Sequence, residues 1–205
     1  MKVYFINCLI LILTVQNCLA NADNEQLNEQ NKLFELTLSK FLEFTLEIGE
    51  LSEEYITKTF KELEKNNDIS NKELTEREHN KFLQTLEGLK NSKTNEDKLA
   101  YMKKLTGEII YSSKHLEDPN MDEETTKFIE KYHAKEFLKK IHDEYFEFFE
   151  GFAKAFNEYA NELNETQKEA QKELFNWFKE FSDEKNFVET TEKFLEFFNF
   201  FDDEE

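Results

Sequence analysis

Residues 134–163 read AKEFLKKIHDEYFEFFEGFAKAFNEYANEL, and the segment from Asp143 to Phe156 alone carries Tyr145, Phe146, Phe148, Phe149, Phe152 and Phe156. Placed on a helix at about 100° per residue, Ala134, Leu138, Ile141, Tyr145, Phe148, Phe149, Phe152, Phe156, Tyr159 and Leu163 fall within about 60° of one line. Asp143, Glu147, Glu150 and Lys154 fall on the opposite side. Phe137 and Phe146 lie at the margins and widen the apolar stripe beyond a coiled-coil seam. The spacing predicts one long amphipathic helix with its rings turned inward and Gly151 at its middle.

Composition extends that reading to the whole chain. Pro119 is the single proline, and Gly49, Gly88, Gly107 and Gly151 are the only glycines. A sheet protein needs many tight turns, and turns need those residues. The expected fold class is therefore all-α: a single compact bundle of roughly six to eight amphipathic helices, with room for an internal apolar cavity.

Polar punctuation separates the helices. A first helix, carrying Phe34, Leu38, Phe41, Leu42 and Ile48, is expected to end at Gly49, with Ser52 as a fresh N-cap for a second. The stretch KNNDISNKE (65–73) reads as a loop. Thr75-x-x-Glu78 reads as a capping box opening a helix, and Thr94-x-x-Asp97 looks similar. Pro119 breaks the helix that follows. Asn164-x-x-Gln167 caps a helix through Leu174, Trp177 and Phe181, and SDEKN (182–186) precedes a last helix rich in Phe.

The first 22 residues, MKVYFINCLILILTVQNCLANA, have a lone charge, a short apolar run and small residues at Ala20 and Ala22. That is the layout of a secretory signal peptide, cleaved after either alanine. Residues 23–205 then form one helical domain, and the expected location is extracellular. Cys8 and Cys18 both fall in the leader, so the exported chain has neither a thiol nor a disulfide and must rely on its core. No later segment reads as a membrane span. A net charge of −19 argues against phosphate backbones and anionic surfaces as partners.

Catalytic signals are weak. A thiol nucleophile is excluded, and no G-x-S-x-G elbow, P-loop or dinucleotide fingerprint occurs. Glu76-x-x-His79 and Glu130-x-x-His133 match the element that di-iron bundles use twice, but Glu76 lies in a first turn and Glu130 and His133 on a polar face. Both read as solvated helix faces. No metal, no cofactor and no enzyme activity are expected. Asn164-Glu165-Thr166 is the one sequon after the leader, which makes Asn164 a glycosylation candidate that doubles as a helix cap.

The segment LTEREHNKFLQTLEGLKNSKTNEDKLAYMKKLTGEI (74–109) resembles the central region of the nematode fatty-acid- and retinol-binding proteins, and ELSEEYITKTFKEL (50–63) is similar to that family's opening segment. The resemblance covers about half of the chain after the leader. This chain departs from the family in being poorer in Ala, richer in Phe and more acidic, and in carrying EDPNMDEETT (117–126) without a counterpart. The resemblance implies a secreted helical carrier of long-chain fatty acids or retinol, with an internal apolar cavity and without cofactor or catalysis. Enclosing about ten methylenes is worth on the order of 8 kcal/mol, near micromolar affinity before losses.

On this reading the cavity candidates are Phe82, Leu86, Met102, Ile109, Tyr145, Phe149, Phe152, Phe156, Trp177 and Phe178. The ligand head is left either at the surface or against a lysine. Arg77, the single arginine, reads as a surface ion pair beside Glu76 and Glu78. The alternative is a secreted parasite effector or antigen whose Phe-rich faces dock a host protein. A carrier encloses its Phe; a docking protein exposes a patch of several hundred Å².

Overall fold

The computed structural model describes the backbone of residues 2–65, 69–116 and 118–201, and side chains from Lys32 onward except at 66–75, 78, 117, 124 and 202–205. Among the described residues the chain is all-α, a helical bundle without strands. Its elements are α1 (Lys2–Lys65), α2 (Ile69–Asn91), α3 (Asn95–Leu116), α4 (Glu123–Lys131), α5 (Ala134–Glu162), α6 (Glu165–Ala170), α7 (Lys172–Asp183) and α8 (Phe187–Glu196), closed by a 3₁₀ helix over Phe197–Phe201. The side chains of the expected leader, with Cys8, Cys18, Ala20 and Ala22, lie outside the described residues. No described helix is long and apolar enough to cross a membrane.

α5 bears out the stripe read from its sequence. Leu138, Ile141, Tyr145, Phe149, Phe152, Phe156 and Tyr159 are buried, while Asp143, Glu147, Glu150 and Lys154 face solvent. Several helix ends also follow the capping chemistry. The Thr94 hydroxyl accepts from the Asp97 backbone N–H at 3.1 Å and donates to the Asp97 carboxylate at 2.7 Å. Asn164 and Gln167 form both bonds of a capping box, and the Asn186 side chain accepts from the Glu189 N–H at 3.1 Å. The Asp122 carboxylate accepts from the Thr125 N–H at 2.8 Å and starts α4, a helix that sequence reading did not assign.

Three boundaries differ from expectation. α1 runs unbroken through Gly49 and Ser52, and Ser52 is buried in mid-helix rather than capping anything. Gly49 is there for packing. A Cβ at that position would lie 2.5 Å from Leu86 Cδ1 of α2, so the missing side chain lets the two helices approach. α2 begins at Ile69, inside the stretch read as a loop, and passes through Thr75; the expected Thr75–Glu78 box involves side chains outside the described residues. With neither Gly nor Pro between 69 and 87, nothing in the backbone stops that helix early. Finally, the helix expected from Asn164 to Phe181 is divided at Gln171, whose backbone leaves the helical region at φ −110°, ψ 26°. There Gln171 Oε1 accepts a hydrogen bond from the Tyr159 hydroxyl, which ties the α6–α7 corner to α5.

The bundle has two unlike ends. At one, α5, α7, α8 and the 3₁₀ helix meet α1 through rings. Phe152 has Trp177, Phe181, Phe194 and Phe197 within 6.0 Å between centroids, mostly edge to face, and Phe156 stacks on Phe178 at 3.8 Å. Such geometries suit the ring quadrupole and add about 0.5–1.5 kcal/mol each beyond burial. At the other end, α1, α2 and α3 pack beside the short α4 and the start of α5.

Candidate functional site

That second end contains the principal opening. His133, between α4 and α5, is the one non-glycine residue at positive φ (55°) among the described residues, and it turns the chain sharply back. The corner is clamped to α1. Tyr55 stacks on Phe137 at 4.0 Å with its plane 3° off parallel, and its hydroxyl donates to the Tyr132 carbonyl at 3.1 Å. Burial raises the Tyr55 phenol above its ordinary range, so the donor stays protonated. α4 reaches inward with Phe128 and the buried Ile129 and Tyr132, too few side chains to fill the space in front of α3.

The result is an apolar pocket of about 380 Å³. Its floor is Leu138 and Ile141 of α5, and its walls are Ile56, Phe82, Ile109 and Phe128 from four other helices. An adjoining chamber of about 450 Å³ shares Tyr55, Ile56, Phe82 and Phe128 with it and adds a polar side: Thr59, His79 and Lys81. Lys81 forms an ion pair with Glu108 across α2 and α3 at 2.7 Å. At the mouth Tyr111 is 68% exposed and stacks parallel to His115. An apolar pocket adjoining one with a polar side can hold a molecule with one greasy end and one wet end.

Two of the ten cavity candidates, Phe82 and Ile109, line this pocket. Leu86, Met102, Tyr145, Phe149, Phe156 and Trp177 are buried among other core side chains, and Phe178 lies part-buried on Phe156. Phe152 belongs to the same aromatic core, with one edge on a smaller pocket of about 260 Å³ beside Leu36 and Gly151. The rings of α5 point inward as expected, but mainly onto other rings. Sequence reading did not single out Tyr55, Ile56, Phe128, Leu138 or Ile141 as chamber residues. The stripe positions of Leu138 and Ile141 marked them as inward, and nothing local distinguishes an inward residue facing space from one facing a neighbour.

The remaining sequence candidates sit elsewhere. Asn164 is exposed, with its Oδ1 taken by the Gln167 N–H at 3.0 Å. Glu130 and His133 are exposed, His133 lying 3.8 Å from Glu136. Among the described residues no three His, Cys, Asp or Glu side chains are grouped so as to hold a metal. Comparison of the chain with protein-family models, curated proteins and solved structures finds no match.

Proposed function

We propose that this protein is a carrier that binds an apolar small molecule, of the size of a fatty acid or retinol, in the pocket between α1, α2, α3, α4 and α5. The observation that carries the reading is the pocket itself. Its volume of about 380 Å³ falls within the range of small-molecule sites, and its lining is apolar apart from a few polar groups gathered at one side. The resemblance of residues 50–63 and 74–109 to the nematode fatty-acid- and retinol-binding proteins agrees with it, since those segments supply Tyr55, Ile56, Phe82 and Ile109. Export from the cell belongs to the same proposal and rests on the leader-like residues 1–22.

Exposure favours a carrier over a docking protein. Among the described residues the exposed large hydrophobic side chains are Leu36 and Tyr111, and no phenylalanine is among them. A fluorescence titration with retinol tests the proposal. Expected is a saturable rise in retinol emission at micromolar protein, lost in Ile109→Trp, which fills the pocket. A weak, unsaturable signal, or one that Ile109→Trp leaves intact, would contradict it.

A further inference from the structure

The polar inventory of the outer chamber bears on which head group the carrier accepts. This step rests on the carrier reading and narrows it. A carboxylate only accepts hydrogen bonds, so a site for it must offer donors and preferably positive charge. Here two of the hydroxyl donors are already committed. The Tyr55 hydroxyl donates to the Tyr132 carbonyl, and the Ser112 hydroxyl donates to the Glu108 carbonyl at 2.9 Å. The Lys81 ammonium lies 2.7 Å from the Glu108 carboxylate, which cancels its charge.

The other polar groups are the Thr59 and Tyr111 hydroxyls and the imidazoles of His79 and His115, none of them a fixed cation. His79 Nε2 is shielded from water and has no hydrogen-bond partner among the described residues. An anionic head would therefore meet no unbalanced cation in this lining, would sit near the Glu108 carboxylate, and would do so on a chain of net charge −19. A hydroxyl head avoids each of those costs. It is neutral, it can donate to Glu108, and it can pair with an imidazole in either tautomer.

We infer that the site selects an apolar molecule ending in a neutral hydroxyl over the same chain ending in a carboxylate. Isothermal titration of the full chain with decan-1-ol and with decanoate, at about pH 8 where ordinary imidazoles are neutral, isolates the head group because the tails match. Expected is an affinity for decan-1-ol at least about tenfold higher, a difference of about 1.4 kcal/mol. Glu108→Gln uncovers the charge of Lys81, and should tighten decanoate at least about fivefold while moving decan-1-ol less than twofold.

Equal or tighter binding of decanoate by the parent protein overturns the inference and leaves the carrier reading standing. Failure of both ligands to bind overturns the carrier reading and this inference with it. A decanoate affinity that Glu108→Gln does not change overturns the role given to the Lys81–Glu108 pair. The two-ligand ratio on the parent protein decides the matter even where the variant is unstable.

Discussion

Tyr145 has no exposed surface, and its hydroxyl shares a hydrogen bond with Thr106 at 3.1 Å. Burial pushes its phenol well above the ordinary tyrosine range, with the Thr106 bond opposing that shift. A raised folded-state value means the neutral form is favoured, so this contribution is fully present below about pH 10 and is lost as pH rises further. Tyr145→Phe should cost about 1 kcal/mol at neutral pH by leaving Thr106 without its partner, yet flatten the alkaline fall in stability. Denaturant melts at neutral pH and above about pH 10 check both signs. A second contrast sets core against chamber. Phe152→Ala removes a buried ring in contact with six aromatic neighbours and should cost about 3–5 kcal/mol. Phe82→Ala, at a half-buried ring bordering open space, should cost less and weaken retinol binding; thermal melts and titrations on the same samples separate the two effects. The inward direction of Phe149, Phe152 and Phe156 was readable because each follows from its own place on α5. What they face was not, since Trp177, Phe181 and Phe194 arrive from α7 and α8, remote in sequence.

At the scale of elements, glycine was the residue most easily misread. Gly49 suggests a helix end, but α1 passes through it because α2 brings Leu86 against that face. Gly151 sits mid-α5, exposed, with nothing within 4 Å of where its Cβ would be. The same substitution should therefore act oppositely at the two sites. Gly49→Ala overpacks a tight contact between helices and should cost about 1–3 kcal/mol. Gly151→Ala removes backbone entropy from the unfolded chain without a clash and should stabilise by about 0.5–1 kcal/mol. Chemical denaturation midpoints of the two variants decide the signs. Caps were legible for the opposite reason. Thr94, Asn164 and Asn186 satisfy backbone groups within three residues, so sequence alone contains both partners. The division at Gln171 was not legible, because its partner, Tyr159, lies on the preceding helix.

Over the whole molecule, the aromatic core and the apolar pocket occupy different ends. The aromatic end, from Phe149 to Phe201, is held together by ring contacts. The pocket lies at the other end, where a short α4 and the turn at His133 keep α5 from packing fully against α3. The central claim is thus about location, and methyl NMR reads location directly. With isoleucine, leucine and valine methyls labelled, decan-1-ol is added to saturation and the shifts are mapped. Expected are large, saturable changes at Ile56, Ile109, Ile129 and Ile141, with Leu163 and Leu174 in the aromatic end unmoved. Changes centred on Leu163 and Leu174, or an absence of saturable change at the four isoleucines, would contradict the placement of the site.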